Sequence, residues 1–153
     1  MSEIRALSVR QPFAWAIAIG AKPVENRTYG TRYRGLLAIH ASKAIDRAAL
    51  DDPLILKAID ENEFAVGEAE SSLGAVVAVA EMYGIHHAND CMLPVGRGAS
   101  GCSPWARRGQ WHWRLRNVRP LPEPVPCRGR TGGVWWLPAD VEQAVMRQLE
   151  VSR

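Results

Sequence analysis

Cysteine is scarce and unpaired in this 153-residue chain: Cys91, Cys102 and Cys127 form no C-x-x-C pair. An odd number of cysteines without a secretory signal excludes a disulfide framework and points to free thiols in a reducing compartment. Long apolar runs are missing too. Met1 to Val9 has no apolar core of signal-peptide length, and nothing later approaches the roughly 20 apolar residues of a membrane span. A soluble, cytoplasmic protein with no membrane partner is therefore expected. No P-loop, nucleophile elbow or H-E-x-x-H is present, and no dinucleotide fingerprint is set between a strand and a helix, so no cofactor is expected. Internal repeats and low-complexity tracts are absent, which leaves nothing to mark a linker. The whole chain, 1–153, suits one domain, large enough to bury roughly 68–70 % of the surface its unfolded form exposes.

Charge is modest in sum and uneven in distribution. The net charge is +3 and the pI about 9.0, too little alone to identify a nucleic-acid binder. From Cys91 to Pro138, however, the arginines run from Arg97 to Arg130 and only Glu123 opposes them, while acids gather between Asp46 and Glu81. This asymmetry outlines a basic face; the plain alternative is a solvated rim with no partner.

The patterning gives short strands with helices inserted early. Arg5 to Val9 reads as a strand, Pro12 to Ile19 as a helix stopped by Gly20, and Val24 to Thr28 as a second strand. Gly35 to Ser42 is an apolar run of strand length, followed by helical composition over Ala44 to Leu50. A helix then begins at Pro53, capped by Asp51 or Asp52, with Leu54, Leu56 and Ile59 inward. Phe64 to Ser72 is acidic and loop-like. Leu73 to Tyr83 reads as a buried strand approaching a turn at Gly84, and Ile85 to Gln110 as a surface excursion. Trp111, Trp113 and Leu115 alternate with His112, Arg114 and Arg116, the pattern of a half-buried strand with a basic outer side. Val134 to Leu137 is a last strand and Pro138 to Leu149 an amphipathic helix. These elements make an α+β fold of five to six strands, a curved sheet or small barrel with flanking helices.

The sharpest candidate site is Gly20 to Arg27, G-A-K-P-V-E-N-R, which places Lys22 at a helix-to-strand corner and Glu25 and Arg27 on one face of an extended segment. Such a group could hold a polar ligand; the alternative is an exposed and weak ion pair. Glu81, at the end of an apolar strand, must be exposed, paired or shifted in pKa, and is otherwise a candidate general base. His40 and Ser42 share a side of their strand and could face Lys22, although hydrogen bonding to backbone is the commoner role of such a histidine. Trp105, beside Arg107 and Arg108, could stack on a base or anchor its loop. His86, His87, Asp90 and Cys91 are zinc-ligating types, but adjacent histidines point apart in most backbone conformations and no partnered Cys pair follows. No metal site is expected.

Leu7 to Trp15, L-S-V-R-Q-P-F-A-W, the G-x-K-x-x-E-x-R of Gly20 to Arg27, Arg34-Gly35 and Ala38-Ile39-His40-Ala41-Ser42 together resemble the ASCH family, named for activating signal cointegrator homology. The similarity continues through Gly74 to Glu81, Ser103-Pro104-Trp105, Trp113 to Pro120, Val125 to Gly129 and Val134 to Leu137. It implies a PUA-like small mixed β-barrel and a partner that is RNA, other single-stranded nucleic acid or a nucleoside. It also implies a cleft built on Lys22, Glu25 and Arg27, with Arg10, Gln11, Arg34, His40, Ser42 and Ser103 as neighbours. Phosphates would meet Arg107, Arg108, His112, Arg114 and Arg116. One branch of the family looks like an amidohydrolase on N4-acetylcytidine, using a lysine, a threonine three residues later and a glutamate from a later strand. Lys22 and Glu81 match the first and last, and the alternative function is hydrolysis of a modified nucleoside or of single-stranded RNA, with Lys22, Glu25 and Glu81 catalytic. Glu25 occupies the threonine position, where an acyl-enzyme would be a mixed anhydride.

Overall fold

A computed structural model describes residues 4–62, 72–91 and 102–152. Its strands are β1 (Arg5–Gln11), β2 (Val24–Arg27), β3 (Gly35–Ile45), β4 (Ala75–His87), β5 (Trp111–Pro126) and β6 (Trp135–Trp136), and its α-helices are α1 (Phe13–Ala18), α2 (Pro53–Asn62) and α3 (Ala139–Val151). The strands form one mixed sheet in the order β2-β5-β4-β3-β1-β6. Only β1 and β3 pair in parallel; every other pairing is antiparallel. The expectation of an α+β fold of five to six strands with flanking helices holds, with six strands in the sheet. β2 and β6 end the sheet rather than pairing with each other, so it is open among the described residues and a closed barrel is not confirmed.

Alternation along the strands sends apolar side chains to both faces of the sheet. Leu7, Val9, Leu37, Ile39, Met82 and Trp113 pack with Ala14 and Ile17 of α1. On the other face Ala6, Ala38, Val76, Val79 and Val125 pack with Val141, Val145 and Leu149 of α3. The 16-residue β5 serves both, since Trp113 and Leu115 join the first cluster and Leu121 and Val125 the second. The sheet is therefore covered on both sides, which accounts for the near-continuous apolar runs of β3 and β4.

Several boundaries differ from the sequence expectation for local reasons. β4 continues past Tyr83 because Gly84 lies at a register shift between Met82 and Gly84, where a bulge absorbs it without a turn. Ile85 to His87 are thus strand, followed by a 3₁₀ turn at Ala88–Asp90. β3 likewise runs to Ile45, leaving only a 3₁₀ turn at Ala48–Asp51 where a helix was expected. In α2 the buried residues are Ile55 and Ala58, whereas Leu56 is 51 % exposed. Gly20 does take the left-handed conformation that ends α1, with φ 81°. The expected acidic loop over 64–71 and the middle of the expected excursion, 92–101, lie outside the described residues. No helix among the described residues is long and apolar enough to cross a membrane.

One buried polar contact joins the two ends of the chain. His40 in β3 places Nε2 2.8 Å from the Cys127 carbonyl and Nδ1 3.3 Å from Ser8 Oγ, with its ring edge-on to Trp135. Gly129 lies so close that an added Cβ would fall 2.8 Å from His40 Nδ1. Gly129→Ala should therefore destabilise the protein by about 1–3 kcal/mol, as overpacking does, read by urea denaturation; an unchanged midpoint would contradict the close approach.

Burial lowers the pKa of His40 below its ordinary 6.5, against the Cys127 hydrogen bond, which raises it. The folded state thus resists the proton that the unfolded chain accepts. His40's contribution to stability is whole above pH 6.5 and should decline as the pH falls from 6.5 towards the lowered folded value. His40→Gln should remove that slope in denaturation curves recorded across this range.

Candidate functional site

The corner between α1 and β2 is built by the backbone first. Gln11 is buried at the end of β1; its Oε1 accepts the Trp15 amide at 2.8 Å and fixes the first turn of α1. After Gly20 the Lys22 amide returns to the Ala16 carbonyl at 3.0 Å. The lysine is thereby turned inward, and it is only 4 % exposed. β2 then pairs with β5, Glu25 opposite Trp113.

Within this frame Glu25 sits between two cations. Lys22 Nζ donates to Glu25 Oε2 at 3.0 Å and to the Val24 carbonyl at 2.5 Å. Arg27 Nε lies 3.3 Å from Glu25 Oε1 without hydrogen-bond geometry, while Arg27 Nη2 donates to the Ser8 carbonyl at 2.6 Å. Burial pushes the Lys22 ammonium below its ordinary value of 10.5. The charge and hydrogen bond of Glu25 oppose this, and the positive charges of Arg107 and Arg27 add to it. The site is a buried, partly compensated charge cluster rather than an exposed surface pair.

Two cavities adjoin the cluster, and Glu25 lines both. One, of about 220 Å³, is also lined by Phe13, Lys22, Asn26, Trp105 and Arg107. The other, of about 570 Å³, is bounded by Arg10, Arg27, Tyr29, Ser42 and Arg130. The first is aromatic at its rim; Lys22 Nζ and the Arg107 guanidinium lie 5.5 Å and 5.6 Å from the Phe13 ring centre. The second is bordered by three arginines.

Sequence reasoning missed Asn26, which holds the two halves of the cleft together. Its Nδ2 donates to the Trp105 carbonyl at 2.8 Å and its Oδ1 accepts the Arg107 amide at 2.9 Å. A side chain in β2 thus pins a segment some 80 residues later over Lys22. The available signal was an asparagine inside a strand, where that residue is disfavoured unless its amide has work to do. Ser103 serves the same segment, its hydroxyl accepting the Trp105 amide at 3.2 Å. Trp105 is half-buried against the cavity, neither fully exposed nor tucked into the core.

Other expected members lie elsewhere. Glu81 lines neither cavity; Arg116 grips it in a fork at 3.1 Å and 2.7 Å, and Asn117 adds a bond at 2.9 Å. The Arg116 and Asn117 hydrogen bonds hold the Glu81 carboxyl below its usual range, which suits an ionised partner and not a base raised towards neutrality. Arg34 is exposed and donates to the Thr31 and Tyr33 carbonyls. Gln11 and His40 are occupied with α1 and Cys127, and neither borders the two cavities.

The basic outer side of β5 also needs correction. His112 is fully buried; its Nε2 lies 2.7 Å from the Arg107 carbonyl, beneath the 102–107 segment. Arg114 and Arg116 are exposed but lie over the Tyr83 ring, 4.9 Å and 4.6 Å from its centre, and Arg108 is exposed beyond the cleft. The zinc-type residues regroup as well. Cys102 and His112 come to His86 and Cys91, whereas His87 turns back to accept the Asn89 amide at 3.1 Å.

No protein-family model matches the chain, and no curated protein sequence matches it. Solved structures do. The structure of ASCH from Zymomonas mobilis is 15 % identical with a TM-score of 0.53, the match covering 95 % of this chain and 94 % of that one. A tyrosine-to-phenylalanine mutant of the same protein gives TM-score 0.53 and 97 % coverage of its chain, and a serine-to-alanine mutant gives 0.54 and 96 %. The fold of this chain is thus that of the Zymomonas mobilis ASCH structures.

Removing one member of the buried pair should expose its cost. Glu25→Ala leaves Lys22 uncompensated and should destabilise the protein by about 3–5 kcal/mol. Adding Lys22→Met should recover most of that loss. If the single and double variants are equally destabilised in denaturant titrations, the pair is not coupled as its geometry requires.

Proposed function

We propose that this ASCH-fold chain is an RNA-binding module that holds one nucleotide of a single strand at the Glu25 junction. The observation that carries this reading is the division of the cleft on either side of one buried carboxylate. On one side Trp105, with the Phe13 ring that borders both cavities, offers apolar ring surface while Lys22 and Glu25 offer a donor and an acceptor; such a combination suits a base, which stacks through its face and hydrogen-bonds through its edge. On the other side Arg10, Arg27 and Arg130 border the larger cavity, where a ribose-phosphate backbone would be neutralised. In this reading the phosphate contacts come from the arginines at the cleft and from Arg107, not from His112 or the Arg116 that Glu81 already pairs.

Binding of a fluorescent single-stranded RNA measured against salt tests the proposal. With about three to five phosphates neutralised, log K should fall against log salt with a slope of about −2 to −4. Trp105→Ala should weaken binding by about 1–3 kcal/mol, the loss expected for one stacked base. A flat salt response together with an unaffected Trp105→Ala variant would overturn it.

A hydrolytic reading draws on one specific observation, the burial of Lys22 in contact with Glu25, a burial that pushes the lysine's pKa down. A buried lysine beside a carboxylate can exchange a proton or stabilise a developing oxyanion. Lys22 and Glu25 would carry that chemistry without Glu81. Incubation with N4-acetylcytidine and with single-stranded RNA, beside Lys22→Ala, separates the readings: product from the wild type and none from the variant favours the enzyme, and no product from the wild type removes it.

A further inference from the structure

A second cluster lies where β4 and β5 meet, outside the Glu25 cavities. His86 and His112 are directly opposed across the two strands, so their rings stand side by side, edge to face at 5.0 Å. The 3₁₀ turn after β4 brings Cys91 back to the same point, its Sγ 3.4 Å from His86 Nε2. Cys102 arrives from the other side, its Sγ 3.4 Å from His112 Nδ1. The two ring nitrogens facing each other, His112 Nδ1 and His86 Nε2, are 3.1 Å apart. All four ligand-type atoms lie within 4.8 Å of one another.

These separations are close to the edges of a zinc tetrahedron. With Zn–N about 2.0–2.1 Å and Zn–S about 2.3 Å, tetrahedral angles place two nitrogens about 3.3 Å apart, a nitrogen and a sulfur about 3.6 Å and two sulfurs about 3.8 Å. Three of the observed separations, 3.4, 3.4 and 3.1 Å, are within a few tenths of an ångström of these edges, and the longest, within 4.8 Å, would shorten by up to about 1 Å as the ligands close on the ion. The tautomer of His112 is also fixed. The Arg107 carbonyl can only accept, so the Nε2 at 2.7 Å carries the proton and Nδ1 presents its lone pair to the cluster. A backbone carbonyl behind a ligating imidazole is the usual outer support of a metal site.

We propose that His86, Cys91, Cys102 and His112 form a closed, structural Cys2His2 zinc site. The set suits zinc, which takes mixed imidazole and thiolate ligands in tetrahedral geometry. Binding releases the two thiol protons, and the two thiolates then balance the charge of the ion. The ion ties the end of β4 to the start of β5 and to Cys102, the residue before Ser103. It therefore anchors the same 103–107 segment that Asn26 pins over Lys22 from the opposite side. The zinc site stands whether or not the cleft binds RNA.

The test uses the full chain in reducing buffer. The protein as purified should carry one zinc per chain by elemental mass spectrometry. Cobalt(II) in place of zinc should give thiolate charge-transfer absorption and the intense d–d bands of tetrahedral coordination. Cys91→Ser and Cys102→Ser should each lower zinc affinity, measured by competition with a chromophoric chelator, beyond the about 100-fold that loss of an outer-shell partner can cost. Cys127→Ser should leave stoichiometry and spectrum unchanged. The cobalt spectrum of the wild type decides the question even if a serine variant fails to fold. Substoichiometric zinc with a weak, octahedral-type cobalt spectrum, or wild-type affinity in folded Cys91→Ser and Cys102→Ser, would overturn the site. A Cys91–Cys102 disulfide persisting in reducing buffer would do the same.

Discussion

Glu25 is largely withdrawn from water, and both of its oxygens face cations. A carboxylate so buried is costly unless its charge is met, so the positions of Lys22 and Arg27 are not free choices of the surface. Lys22 can reach Oε2 only because α1 ends at Gly20 and the chain is turned back to Ala16. Arg27 can reach Oε1 only because β2 is extended and paired to β5. The helix stop, the corner and the edge strand are therefore tied to one charge. The same charge stands between the two cavities, so the group that makes the corner costly is also the one a ligand would meet.

The β4–β5 pair is the other organising element. Its strands are the longest in the sheet, and β5 passes from the α1 side of the core to the α3 side. One end carries the cluster of His86, Cys91, Cys102 and His112, and the middle carries the Glu81–Arg116 fork. Their separation along one ladder explains why Glu81, close in chemical type to a catalytic carboxylate, has a different role from Glu25. It is held by neighbours on its own surface, whereas Lys22 precedes β2, on the far side of β5 from β4.

Much of the fold was legible in the sequence because apolar periodicity and helix stops are local signals. The strands at Leu7, Ile39, Val79 and Trp113, the helix before Gly20 and the helix after Pro138 all follow from them. Lys22, Glu25 and Arg27 were legible as a group because eight residues contain them. What the sequence concealed depends on distant pairing. Parity placed His112 with Arg114 on an outer face, but the 102–107 segment lies over it and turns the position inward. Asn26 contacts Trp105 and Arg107 across a separation no window covers. Cys102 likewise reaches Cys91 and His86 only once β4 continues beyond Gly84, which a glycine next to Tyr83 does not announce.

The two outer strands also differ from the inner ones in length. β2 has four residues and β6 two, and the Arg5 guanidinium lies 3.4 Å above the exposed ring of Trp136 at the β6 edge. An open sheet ordinarily leaves two rows of unpaired amides and carbonyls on which another chain can add as a strand. Here the two end strands are short, one is topped by a charged side chain, and β5 beyond its pairing with β2 carries Pro120, Pro122, Pro124 and Pro126, which have no amide to donate. Among the described residues, the unclosed sheet is thus blunted at both ends as a template for a further strand.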